Sequence, residues 1–245
     1  MRNAALPLAS LLACALAVAC DPVQPDRPGG SGADLTVTQI QNVADPAYPG
    51  VGARVALHDV LVIAVDTYDE DGAGRVGNVW VAEPAGGAWS GVQLFAPAVI
   101  PSRASLVPGD IVEAIGTLDE FRYMTDDDFS LTELTDSSVQ KIGETLGPAA
   151  TTIPEADLAD RALAEPWEGC LVRIENVTIT GPYDDYDETS TSGGVDVASD
   201  LYRIPEIDAG VLTFRALSGV VTYFRPASFL LGVKILPRGP QDVEL

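Results

Sequence analysis

The sequence predicts an all-β protein built as two consecutive five-stranded barrels. Short β-favouring runs dominate after residue 35, with Gly and Pro between them. A pattern in the first half returns in the second half at one constant offset. No segment carries the long 3.6-residue period of a helix bundle. The 245 residues suffice for two modest cores. A chain that is 47% hydrophobic is too apolar for an acidic disordered protein. The net charge of −22 argues against a general nucleic-acid binder, which needs cationic side chains to displace counterions from phosphates.

The first element, residues 1–19, reads as a signal peptide. Arg2 is followed by an apolar stretch from Ala4 to Ala19, and Ala17-Val18-Ala19 is a small-residue cleavage context directly before Cys20. This is the pattern of a bacterial lipoprotein signal, in which Cys20 becomes the lipidated N-terminus. Cys14, after Leu11-Leu12-Ala13, is the rival site, but it leaves a shorter apolar core. An ordinary secretory signal or an uncleaved anchor helix is the plainer alternative. The expected location is the bacterial cell envelope, at the outer membrane or cell surface. Residues 20–34 comprise the lipidated Cys and a flexible tether rich in Pro, Gly and Asp. With Cys14 removed and Cys20 acylated, Cys170 is left without a disulfide partner. It lies in an apolar run and reads as a buried structural thiol.

Domain 1 spans residues 35–147. Strand signals occur at residues 55–65, which alternate and then run apolar, at 79–81, at 92–95 and at 111–115 after a Pro-Gly-Asp turn. Domain 2 spans residues 148–245, with one short helix expected at 154–164. The repeat sets Gly52, Val55, Leu57, Asp59, Val60 and Val62 against Gly169, Val172, Ile174, Asn176, Val177 and Ile179. Later, Gly116 with Phe121-Arg122 matches Gly219 with Phe224-Arg225, and Leu134 to Val139 matches Leu236 to Val243. Glycines at such places suit strand bends at barrel corners.

The run Glu165-Pro-Trp167-Glu168-Gly169 into Val177 resembles the first strand of OB-fold modules in bacterial secreted nucleases and surface lipoproteins. Leu236-Pro-Arg238 is similar to the last strand of those modules, and residues 44–50 to their lead-in. The resemblance covers most of residues 35–245. It implies two tandem OB-fold-like barrels of the accessory, non-catalytic type, which help bind nucleic acid or other surface ligands.

Matching acidic loops follow the first strand of each unit. One holds Asp66, Asp69 and Asp71, and the other Asp184, Asp185 and Asp187. Closely spaced carboxylates around a turn can ligate Ca²⁺, but the spacing completes no EF-hand loop. Two readings stay open: a pair of calcium sites, or solvated loops. Asp126-Asp127-Asp128 is a weaker third cluster. Arg122, Tyr123, Tyr223 and Arg225 would be the set for stacking single-stranded bases. Acidic loops near the usual ligand face would repel phosphates. Catalysis finds little support. His58 is the lone histidine, and Asp59 beside it points to the opposite face of a strand. No nucleophile elbow or phosphate loop is present. Carboxylate pairs abound, but in turn-like segments where burial is not expected. The expected function is a non-catalytic, lipid-anchored envelope protein offering two barrels to a protein or polysaccharide partner. A single-stranded nucleic-acid accessory protein and an unrecognised hydrolase are the alternatives.

Overall fold

The structure, a computed structural model, describes residues 31–67, 77–101, 104–122, 130–223 and 232–245. The leader, Cys20, most of the tether and the 126–128 acidic cluster lie outside the described residues.

The protein is mostly β. The first half contains β1 (Ala33–Asp34), α1 (Val37–Gln41), β2 (Arg54–Val65), β3 (Val79–Ala82), β4 (Gly91–Leu94), β5 (Ala98–Ile100), β6 (Asp110–Phe121) and β7 (Leu131–Glu144). β2 pairs with β3, β3 with β4, β4 with β7, β7 with β6, and β6 returns to β2. The ring closes as a five-stranded barrel. Its ladders are antiparallel except β4–β7, which is parallel. β1 and β5 add parallel strands to β2 and β7.

A barrel this small needs strands that bend sharply. β2 is 12 residues long and serves two neighbours in the ring, β3 and β6, as well as β1. Its register against β6 shifts between Leu57 and Val60, and Asp59 takes the left-handed conformation there, with φ 54. Gly116 marks a second bend. A Cβ there would press on the Leu134 side chain of β7.

The second half holds β8 (Thr151–Thr152), α2 (Glu155–Ala159), α3 (Arg161–Ala164), β9 (Leu171–Thr178), β10 (Glu188–Ser190), β11 (Asp196–Ala198), α4 (Pro205–Asp208), β12 (Thr213–Thr222), β13 (Lys234–Leu236) and β14 (Val243–Glu244). The sheet order is β10-β11-β13-β12-β9-β8, with β14 on β12. β11–β13 is parallel, like β4–β7. The end of β9 approaches the end of β10 through one bridge, Ile179 to Thr191. Ser192 N–H donates to Thr178 O at 2.7 Å, and Thr180 N–H to Ser190 O at 2.9 Å.

The sequence repeat reappears in the backbone. Asp59 and Asn176 share the left-handed conformation, at φ 54 and 57. Gly52 and Gly169 share positive φ as well, at 86 and 69. Asp and Asn tolerate this region better than other side-chain-bearing residues. Gly219 in β12 lies against Ile235 and Leu236 of β13, as Gly116 lies against Leu134 of β7.

The helix expected at 154–164 is two helices. Asp160 interrupts it, with extended φ and ψ, and its carboxylate accepts N–H bonds from Ala162 and Leu163. A side chain that caps the next turn so well ends the previous one. Pro154 precedes α2 as its cap rather than entering its first turn.

Each sheet has its own apolar core. The first is built from Val55, Leu57, Val62, Val79, Val81, Leu94 and Leu118, among others. The second includes Val172, Ile174, Val197, Leu217, Val221 and Ile235. A third cluster lies between them. It joins Ile63, Ala64, Trp80 and Ala82 of β2 and β3 to Leu171, Ala198, Val220 and Leu236 of the second sheet. These are the residues that alternate with the core-facing set, so they stand on the outer faces of both sheets. Burying outer faces explains why β2 stops alternating and runs apolar. Arg238 ties the same joint, donating from Nη1 to Ile63 O at 3.1 Å while pairing with Asp242.

Candidate functional site

Titratable groups are most densely buried at the edge of this joint. The 165–167 turn and the start of β9 bring Glu165, Glu168 and Cys170 against the starts of β4 and β7 and the end of β6. The backbones come very close. A Cβ on Gly91 would collide with the main chain of Gly169, and one on Gly169 would meet Gly91 O at 2.7 Å. Trp89 N–H donates to Pro166 O at 2.6 Å. The positive φ of Gly169 turns the chain into β9 at this contact.

Glu168 sits at the centre and is 2% exposed. Its Oε1 accepts the Thr132 N–H of β7 at 2.6 Å, so a side chain of the second half closes a backbone group of the first. Its Oε2 has no hydrogen-bond partner among the described residues. Burial holds its carboxyl well above the usual carboxylate range, and the neighbouring Glu165 and Glu120 add to this, while the Thr132 bond opposes it. Glu133, 4% exposed, is pushed up to about 7, mainly by burial. Gln93 Nε2 donates to its Oε2 at 2.9 Å and offsets part of that effect. Burial and Glu120 also raise Glu165, against the pull of Tyr223 and Arg161. Glu120 accepts from the Thr132 hydroxyl at 3.1 Å. Tyr223 and Cys170 are both raised, chiefly by burial, and so stay neutral. The free thiol of Cys170 is buried, as expected, with the Ser90 hydroxyl 3.7 Å from its sulfur.

The expectation that carboxylates lie only in exposed turns therefore needs correction. Glu133 stands in β7, where four consecutive residues from Leu131 are buried. Glu168 is covered by a strand that begins at residue 131, far from it in sequence. Among the described residues, no three His, Cys, Asp or Glu side chains are spaced to hold a metal ion.

The acidic loops are placed differently. Asp66 closes the β2–β3 turn, with its N–H on Asn78 O and its O accepting from Gly77, and it is 8% exposed. Asp69 and Asp71 lie outside the described residues. Asp184 Oδ1 accepts the N–H groups of Tyr186 and Glu188, at 2.8 and 3.1 Å, so it folds its own loop. Asp187 pairs with Arg203, which also grips Asp208 with two bonds and lies over the Tyr183 ring. Asp185 is exposed. The charge of this loop is thus met by an arginine and by backbone donors.

Of the base-stacking set, Arg122 is exposed at the end of β6, and Tyr123 and Arg225 lie outside the described residues. Tyr223 is 1% exposed and belongs to the second core. A ring so buried has no free face for a base. His58 bonds neither Asp59 nor a nucleophile. It stands between Asp34 of β1, with Nε2 2.9 Å from Oδ1, and Glu113 of β6. Bonds to both carboxylates, the Asp34 bond first, raise its pKa.

No known family matches this chain. The family models contain no match to it, and no curated protein is a detectable relative.

Proposed function

We propose that this chain is a non-catalytic, lipid-anchored protein of the bacterial cell envelope, which presents two OB-fold-like barrels to a protein or polysaccharide partner. The carrying observation is Ala17-Val18-Ala19-Cys20, followed by a polar tether that leads directly into a β body. The closed ring of β2, β3, β4, β7 and β6, with its one parallel ladder, is the strand order of an OB fold and supports that reading of the first unit. The matching parallel pair β11–β13, the bridge from β9 to β10 and the shared left-handed residues support a second barrel of the same kind. The two sheets bury an outer face against each other, which leaves the remaining faces and loops to a partner.

The nucleic-acid reading loses ground through the burial of Tyr223 and the acidity of the chain. Titration with a single-stranded oligonucleotide at low salt separates the two. No measurable binding is expected. Affinity that falls steeply as salt rises would favour the nucleic-acid role instead.

A further inference from the structure

We propose that the joint between the two sheets is a protonation latch, closed while Glu168 carries a proton and opened when that proton leaves. Glu168 is placed for this by geometry. It is buried where the backbones of Gly91 and Gly169 touch, too close for a side chain on either. One of its oxygens accepts the Thr132 N–H across the joint, and the other has no partner among the described residues to stabilise a negative charge.

The groups around it do not supply that charge balance. From β6 come Asp119 and Glu120, from β7 Glu133, from β4 Gln93, and from the 165–167 turn Glu165. Cys170 stands just before β9, and Tyr223 follows β12. Among the described residues, the cation that acts on this set is Arg161 of α3, through Glu165. An ionised Glu168 would therefore sit unhydrated among like charges. Opening the joint gives it water.

The sign follows from the raised carboxyl. The closed form holds a proton that the opened form releases at the ordinary Glu pKa of about 4.3. The closed form is then favoured at acid pH. Closure weakens as pH rises above that value, until Glu168 ionises in the closed form as well. Over this range the open-to-closed ratio rises about tenfold per pH unit for one proton released. Exposed carboxylates have finished titrating by about pH 6, so opening above that point is not a result of general charge repulsion.

The test uses the full chain with a donor–acceptor fluorophore pair introduced at Val43 and Tyr186, exposed positions on the first and second halves. A narrow distance distribution is expected at about pH 6, with a longer, broader and reversible component growing towards about pH 9. Glu168→Gln keeps the narrow distribution throughout, since an amide still accepts from Thr132 and never ionises. The same variant retains His58, so persistence of the narrow form also removes that histidine as the cause. A wild-type distribution that does not change, or a Glu168→Gln protein that opens like wild type, overturns the proposal. If that variant does not fold, difference infrared spectra of a Glu133→Gln, Glu165→Gln protein decide, in which Glu168 is the raised carboxyl left at the joint. The band of a buried protonated carboxyl must disappear in step with opening, and loss of the band without opening, or opening without its loss, overturns the latch.

Discussion

Gly91→Ala is expected to undock the two sheets and to split one cooperative melt into two. The new methyl group would lie inside the backbone of Gly169, which has no side chain to move aside. Overpacking of a tight site costs about 1–3 kcal/mol, and a main-chain collision stands at the upper end. Each half keeps its own core after separation, so both should still melt cooperatively. Gly169→Ala adds the strain of a left-handed φ of 69, a further cost of roughly 1–2 kcal/mol. Gly181→Ala is the control, because a Cβ there meets nothing within 4 Å and its φ is not positive. Calorimetry distinguishes the outcomes. A single unshifted transition for Gly91→Ala would mean that the two glycines are not in contact.

Trp80→Ala is expected to lower stability by about 3–5 kcal/mol, the usual cost of deleting a buried aromatic side chain. Trp80 is 3% exposed and fills the space between β3 and the outer face of the second sheet, beside Leu171, Val220 and Leu236. At roughly 2–4 °C per kcal/mol for a chain of this size, the melting temperature falls by about 6–20 °C. Trp80→Phe separates packing from polarity. The indole N–H is buried without a partner among the described residues, so phenylalanine removes an unsatisfied donor along with some volume. The loss should be well under that of alanine. Denaturant titration checks both, and a Trp80→Ala loss below about 1 kcal/mol would show that this face is not packed.

Much of this architecture was legible in local pattern. The period-two alternation located β2, and the repeat placed Gly52 and Gly169, and Asp59 and Asn176, at positions that prove to share a backbone conformation. The apolar run from Val60 to Val65 was visible too, but its cause was not. A strand buried on both faces reads alike whatever covers it, and the cover here comes from Leu171, Val220 and Leu236. α1 escaped notice because five residues are too few to show a helical period, although Thr36 and Gln39 form its capping box. The buried carboxyls were the least legible. In Leu131-Thr-Glu-Leu134 the Glu occupies what looks like a solvent-facing position. Glu168 stands in the run that resembles a first strand, where nothing local marks its side chain as buried. Their burial depends on contacts between distant segments, and neither composition nor spacing encodes those contacts. Asp184 and Asp187 are conspicuous in sequence, yet they are used in turn formation and in pairing with Arg203.

Lipid attachment at Cys20 is the feature on which the proposed role depends, and the N-terminal peptide of protein taken from cell membranes tests it most directly. Mass spectrometry should find a chain that starts at Cys20 and carries a diacylglyceryl group on its sulfur. Cys20→Ala should leave the chain unmodified and free of the membrane fraction. An unmodified Cys20, in a chain that begins elsewhere or keeps residues 1–19, would contradict the anchored envelope role.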